Sequence, residues 1–168
     1  MSFLILIGMM GSGKTTVGRM IAERNDLPFL DTDQMLINRL GRPIHQLFQL
    51  YGEDAFRDHE TSVLASLEPQ TAILSTGGGI VLREANWEHF KRLGTTITLD
   101  ATIPVLKNRL ENAKRRRPLL ETDNWEETLQ KIYDSRRHLY LKSDIVIDIS
   151  DRELPEIVEL VEKEAGLA

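Results

Sequence analysis

The chain contains no cysteine. That one absence removes disulfide scaffolds, thiolate zinc sites, iron–sulfur clusters and thiol nucleophiles together. Histidine is scarce too. The four residues His45, His59, His89 and His138 stand at no metal-ligand spacing and read as packed or solvated imidazoles. Positive charge is not in excess: 21 Lys+Arg face 26 Asp+Glu, a net of −5. Such a balance argues against a protein whose affinity comes from neutralising nucleic-acid phosphates. No run approaches the roughly 20 apolar residues that a membrane helix needs. The apolar run Phe3–Ile7 lacks a basic segment before it and a small-residue cleavage site after it, so it reads as a buried strand, not a signal sequence. The expectation is a cytoplasmic protein. Linkers rich in Pro, Gly or Ser, internal repeats and low-complexity tracts are also missing. With 168 residues, 41% of them hydrophobic, the chain reads as a single domain over residues 1–168.

What is present is strand–helix alternation. Short apolar runs recur at Phe3–Ile7, Leu27–Leu30, Thr71–Leu74, Thr96–Leu99 and Ile145–Ile149. Apolar residues without alternation suit strands buried on both faces, as in parallel sheets. Between them lie stretches with helical spacing, such as Leu129, Ile132, Tyr133, Arg136 and Tyr140, and Leu154, Ile157, Val158 and Val161. The expected fold is an α/β layered sandwich with ligands at the carboxyl ends of its strands. The segment about 112–123 breaks the pattern with Lys114–Arg117, Pro118, Leu119, Leu120 and then acids, and reads as an exposed lid.

Directly after the first run comes Gly8-Met9-Met10-Gly11-Ser12-Gly13-Lys14-Thr15, a match to G-x-x-x-x-G-K-[ST]. Its glycines let backbone N–H groups wrap a phosphate chain, Lys14 can reach the β- and γ-phosphates, and the Thr15 hydroxyl can ligate Mg²⁺. A helix from about Thr15 to Arg24 would aim its N-terminus at the same phosphates. No N-K-x-D guanine reader is present, and the small size favours phosphoryl transfer to a metabolite.

Four further features point to an acceptor site. Asp31-Thr32-Asp33 closes the second strand, and residues two apart face one side, so one carboxylate can serve magnesium while the other accepts a hydrogen bond from an alcohol. Alternatively, Asp33 caps a helix beginning near Gln34. In the expected helix Glu53–Leu67, the stripe Phe56, Glu60, Val63, Leu64, Leu67 places Glu60 inward, with Arg57 in reach. A buried charge needs a partner. The pair is either an internal salt bridge or a mount for an Arg57 that clamps a ligand carboxylate bidentately. Arg136 falls on the apolar stripe of its helix while Arg137 faces away; it either meets a ligand anion or snorkels to solvent. Gly77-Gly78-Gly79 follows the strand Ala72–Ser75 and is either a plain tight turn or, since a turn rarely needs three glycines, a close backbone approach to something. Ser75 stands where an acidic magnesium ligand is common, and Asp100 and Asp148 are further candidates for that role, each also suited to a helix start or turn. In a lid, the basic run Lys114–Arg117 could stabilise the transferring phosphoryl group.

These elements together resemble the shikimate kinase family: Gly8–Thr16, Asp31-Thr32-Asp33, Phe56-Arg57-x-x-Glu60, Thr76–Gly79, Arg117-Pro118-Leu119-Leu120 and Arg136-x-x-Leu139-Tyr140. The resemblance runs from about Phe3 to Val161. It implies a P-loop kinase fold of the nucleoside-monophosphate-kinase type, with a five-stranded parallel sheet in a three-layer α/β/α sandwich, a lid at about 112–123 and a substrate-binding helical region at about 33–61. It also implies ATP-dependent phosphorylation of the shikimate 3-hydroxyl, on the route to chorismate and the aromatic amino acids. By the same resemblance, Lys14, Asp33 and Arg117 are catalytic, and Asp33, Arg57, Gly78, Gly79 and Arg136 bind shikimate. ATP is assigned to Gly11, Ser12, Gly13, Lys14, Thr15, Thr16 and Arg117, with Arg109 and Pro155 added by position. Magnesium is assigned to Thr15, Asp31 and Ser75. The implied partners are ATP and shikimate, with no nucleic acid or membrane, and a monomer is expected. His138 replaces a proline common in the family's R-x-P-L-Y segment, which should alter the helix end but not Arg136. A related kinase for another hydroxy acid such as gluconate, or a non-catalytic relative, are the alternatives.

Overall fold

The structure is a computed structural model that describes residues 2–112, 120 and 123–167. Five apolar runs form the strands β1 (Phe3–Ile7), β2 (Phe29–Asp31), β3 (Ala72–Ser75), β4 (Gly94–Asp100) and β5 (Ile145–Asp148). All pair in parallel, in the order β2-β3-β1-β4-β5. Every residue of the central β1 is buried, which requires cover on both faces and explains the run of apolar residues without alternation.

The helices are α1 (Lys14–Arg24), α2 (Thr32–Leu40), α3 (Ile44–Ser66), α4 (Glu84–Leu93), α5 (Ile103–Glu111), α6 (Trp125–Tyr140) and α7 (Leu154–Glu164), with one 3-10 turn at Ile80–Leu82. α1 packs on β3 and on α7, and α4 packs on β4 and α3. The first interface is tied by Asn25, which donates its side-chain N–H to Glu162 at 2.7 Å. The main core takes in the strands and these helices. A second, smaller cluster of Leu36, Leu47, Phe56 and Val63 holds α2 against α3. Among the described residues no helix is long and apolar enough to cross a membrane.

Several boundaries shift by one or two residues from the sequence reading, and two of the shifts have a local cause. β2 begins at Phe29 rather than Leu27, because Leu27 is still tied by its N–H to Ala22 at the end of α1 and Pro28 has no N–H to give. The helix expected at Glu53–Leu67 is the second half of α3, which is broken at Gly52, where φ is 77° and ψ 172°. The stripe itself is as expected: Phe56, Glu60, Val63, Leu64 and Leu67 are all buried. The expected lid, including Lys114–Arg117, Pro118 and Leu119, lies mostly outside the described residues; Leu120 packs against the main core.

The pairing of β4 with β1 leaves no room at its first residue. A Cβ on Gly94 would fall 2.0 Å from the Phe3 carbonyl oxygen and 2.6 Å from its nitrogen, and backbone pinned in a central strand cannot step aside. Gly94→Ala should therefore lower the unfolding free energy by at least about 2 kcal/mol, read as an earlier urea midpoint. A midpoint matching the parent would show that the register is not this tight.

Candidate active site

The register carries three chain segments to one edge of the sheet. Asp31 pairs with Ser75 across β2 and β3, and Leu6 pairs with Ser75 across β1 and β3. The ends of β1, β2 and β3 therefore open side by side, and the loop Gly8–Gly13 follows from β1. Gly11 and Gly13 hold φ of 83° and 92°, a region that side chains with a Cβ strongly disfavour. Lys14 opens α1, and its Nζ lies over the loop, donating to the carbonyls of Gly8 at 2.9 Å and Met9 at 3.0 Å, with the Ser12 hydroxyl at 3.4 Å. From α5, Arg109 donates to the Ser12 carbonyl at 3.0 Å.

Beside this loop three hydroxyl and carboxylate oxygens converge. Thr15 Oγ1 donates to Asp31 Oδ2 at 3.0 Å and lies 3.3 Å from Ser75 Oγ. The other Asp31 oxygen accepts from the N–H groups of Asp33 and Gln34. Asp31, not Asp33, is thus the N-cap of α2, which corrects the alternative in which Asp33 caps a helix starting near Gln34. Asp33 sits in the first turn of α2 and lines a cleft of about 900 Å³. That cleft runs from the P-loop past Asp31, Thr76–Gly78 and α5 to the segment 150–154. Gly11, Gly13, Lys14, Thr15, Thr16 and Arg109 line it; Ser12, within the loop, is fully buried and does not. Pro155 does not line it: the exposed Pro155 sits at the start of α7, and Leu154 and Ile157 face the cleft in its place. Asp100 and Asp148 are off the cleft as well. Asp100 pairs with Arg137 at 2.8 Å, and Asp148 accepts from the Ser150 N–H.

A smaller cavity of about 70 Å³ opens next to the cleft and shares Met10, Asp33, Gly77 and Gly78 with it. Arg57, Glu60, Gly79 and Arg136 line its far side. Both arginines are 5% exposed and Glu60 is 1% exposed. Arg57 donates to Glu60 at 2.6 Å, and its guanidinium carbon lies 5.5 and 5.4 Å from the rings of Phe48 and Phe56. Its Nε is buried with no partner. Burial pushes the Glu60 carboxyl up to about 7, against the pull of Arg57, and the neighbouring Asp33 raises it further. Arg57 is thus inward and paired with Glu60, as either reading of the pair requires, and Arg136 is buried beside it rather than snorkelling out.

The triple glycine is a requirement of space and not of conformation, since none of the three takes a positive φ. A Cβ on Gly79 would fall 2.2 Å from the centre of the Arg57 guanidinium. A Cβ on Gly77 would sit 2.9 Å from Asp33 Oδ1 and 3.0 Å from Glu60 Oε1. The close approach expected at this segment is thus partly to the chain's own site residues. The Gly78 carbonyl accepts from the Tyr140 hydroxyl at 2.6 Å, and the Gly77 N–H donates to the Thr32 hydroxyl at 3.1 Å. Replacing the family's proline by His138 leaves α6 helical through Tyr140 with Arg136 inward.

Several residues at the site went unassigned in the sequence reading: Phe48, Glu53, Val105, Tyr140 and Leu154. Tyr140 stands in a quoted motif and Glu53 lies four residues before Arg57, so both had a spacing signal. Val105 and Leu154 are apolar residues on ordinary amphipathic helices and had none. Arg117 lies outside the described residues.

The comparisons with known proteins agree with this geometry. The family model for shikimate kinase matches residues 10–165. A shikimate kinase from Synechococcus elongatus is 42% identical over 155 residues, which is 92% of this chain and 80% of that protein. One from Thermodesulfovibrio yellowstonii is 35% identical over 165 residues, covering 98% of this chain and 95% of that protein. Among solved structures, the shikimate kinase from Acinetobacter baumannii in complex with shikimate superposes with a TM-score of 0.90 at 31% identity, covering 99% of this chain and 94% of that one. With a P-loop at one wall of Asp33 and a buried pair of arginines at the other, and with relatives matching along nearly its whole length, the chain belongs to the shikimate kinase family.

Proposed function

We propose that this chain transfers the γ-phosphoryl group of ATP to the 3-hydroxyl of shikimate, giving shikimate 3-phosphate and ADP. The observation that carries the reading is the meeting of two cavities at Asp33: a large one under the P-loop and a small one floored by Arg57 and Arg136. ATP lies in the first, its phosphates against the backbone N–H groups of Gly11–Thr16. Lys14 leaves its loop carbonyls for the β- and γ-oxygens, where a cation is worth more than in water. Arg109 and the apolar Val105 and Leu154 flank the purine end. The acceptor's carboxylate meets the two buried guanidinium groups, and Gly78 and Gly79 leave room for its ring.

The hydroxyl oxygen then forms its bond to the γ-phosphorus in line as the bond to the bridging oxygen of ADP breaks. Asp33 accepts a hydrogen bond from that hydroxyl and orients it, and as the new O–P bond forms the hydroxyl proton passes to the Asp33 carboxylate or to an oxygen of the transferred phosphoryl group. A loose phosphoryl transition state needs positioning and charge stabilisation more than a strong base. Thr15, Asp31 and Ser75 present hard oxygen donors that suit Mg²⁺, with the Thr15 hydroxyl 3.0 Å from Asp31 and 3.3 Å from Ser75. Bound with ATP, the ion would neutralise charge on the β- and γ-oxygens. Arg117 joins the catalytic set on the family motif alone, and we also take residues 1–168 as one kinase unit, with the acceptor region carried by α2 and α3.

Two outcomes test this reading. Lys14→Met should keep the fold and lose at least about 100-fold in turnover, the scale of one removed charge stabiliser, in a coupled ADP-release assay. Gluconate should give no turnover in the same assay with the parent protein. Turnover of the variant within tenfold of the parent, or of gluconate at the rate of shikimate, would defeat the assignment.

Arg57→Ala should weaken shikimate binding by about 30-fold or more by calorimetry while sparing ATP, because a desolvated charge partner is lost. Arg57→Lys should fail nearly as badly, since an ammonium cannot supply two parallel bonds. Unchanged shikimate binding would make the Arg57–Glu60 pair a structural ion pair only.

Glu60 gives a pH signature. Its carboxyl titrates near 7 in the folded chain and near 4.5 when unfolded, so between those values the folded state holds the extra proton. Stability contributed at this position is therefore greatest below about pH 4.5 and is lost as pH rises through about 7. Parent stability minus that of Glu60→Gln should fall across this window in urea titrations. A difference that stays flat would mean that Glu60 remains ionised throughout.

A further inference from the structure

Glu53 has no part in the family motifs, yet its carboxylate stands between the two arginines of the acceptor cavity. One oxygen, Oε1, lies 3.3 Å from a terminal nitrogen of Arg57 and 3.9 Å from a terminal nitrogen of Arg136. The two guanidinium groups share no other acidic oxygen among the described residues. Glu60 occupies only Arg57, through its other terminal nitrogen. The arginines are nearly solvent-free, with side chains 6% exposed, whereas Glu53 is 49% exposed. Two buried cations are costly without a counter-charge, and this half-exposed carboxylate supplies one from the rim.

We propose that Glu53 is a resident stand-in for the substrate's carboxylate, and that its displacement sets the affinity of the arginine pair for the acceptor. The inference rests on the reading of Arg57 and Arg136 as the carboxylate clamp. Three observations support displacement over permanent residence. Glu53 reaches the arginines from the solvent side, so its release exposes a carboxylate that water already half solvates. It starts a helical segment directly after Gly52, whose φ of 77° breaks α3. A Cβ at Gly52 would meet nothing within 4 Å, so the joint has open space on that side. Finally, a second carboxylate entering the fork would repel the first, because like charges in one low-dielectric site disfavour each other.

The effect on the protein has two opposite signs. Without acceptor, Glu53 stabilises the fold by neutralising the arginines. With acceptor, the same contact is what the ligand must replace. Removing the charge while keeping the shape should therefore lower stability and raise affinity at once, which a purely structural contact would not do.

The test is Glu53→Gln in the whole protein, with shikimate as the probe. Expected are an earlier thermal midpoint without ligand, a shikimate Kd and KM lower by about three- to tenfold, as for one ion pair between a buried and a half-exposed partner, and an unchanged ATP KM. Glu53→Asp, whose arm is one carbon shorter, should fall between parent and Gln and serves if Gln folds poorly. A neutral probe, the methyl ester of shikimate, should gain much less from either variant than shikimate does. Unchanged or weaker shikimate binding in both variants would overturn the inference and make Glu53 a residue that holds the arginines in place. Arg57→Ala and Arg136→Ala run alongside separate the two levels. If they bind shikimate like the parent, the clamp itself is wrong; if they lose it while Glu53→Gln gains nothing, only the role of Glu53 falls.

Discussion

The ion pair between Arg57 and Glu60 is the constraint around which the acceptor side is built. Both groups are almost fully buried, and two unpaired charges at such a depth would each cost several kcal/mol. Everything nearby answers that cost. Glu60 takes one nitrogen at 2.6 Å, Glu53 takes another, and Phe48 and Phe56 offer their rings to the guanidinium. Gly79 contributes by having no side chain, since even a methyl group would overlap the guanidinium. The same pair lies against the turn that follows β3, where Gly77 and Gly79 leave it room. The small core of Leu36, Leu47, Phe56 and Val63 then carries α2, with Asp33, into line.

The donor side is brought together chiefly by the backbone. Strand order β2-β3-β1 puts the ends of three consecutive functional segments next to one another, so Asp31, Ser75 and the P-loop meet without any long side chain having to reach. Parallel pairing is what makes this possible, because every strand then delivers its carboxyl end to the same edge. Thr15, one residue into α1, closes the group at 3.0 and 3.3 Å.

How much of this could be read from the residues follows from the range of the signals. The P-loop was legible because its chemistry is local: glycines, a lysine and a threonine at fixed spacing next to an apolar run. The inward Arg57, Glu60 and Arg136 were legible because a charge on an apolar helical stripe is a conflict that only a partner resolves. The strands were legible as runs, but the start of β2 was not, since it depends on how Leu27 caps α1. Asp31 and Asp33 could not be told apart as caps from spacing, because either residue fits the start of a helix; only the backbone decides that Asp31 caps and Asp33 faces the cleft. Pro155 was placed by position along the chain, and one residue of helical rotation moves the lining to Leu154. Tyr140 carried a motif but no chemistry until the fold set its hydroxyl 2.6 Å from the Gly78 carbonyl.

Met10, Asp33, Gly77 and Gly78 belong to the walls of both cavities. A partition shared by two ligands is a thermodynamic link between them. Whatever the first occupant does to that wall, ordering it or tilting it, changes the free energy with which the second is received, and by reciprocity the second does the same to the first. Rigidity in the partition also acts as an entropy already spent, so a ligand on one side leaves less disorder to be lost on the other. Any change that one ligand makes in this wall would be felt by the other, so an affinity measured for one belongs to a stated occupancy of the other.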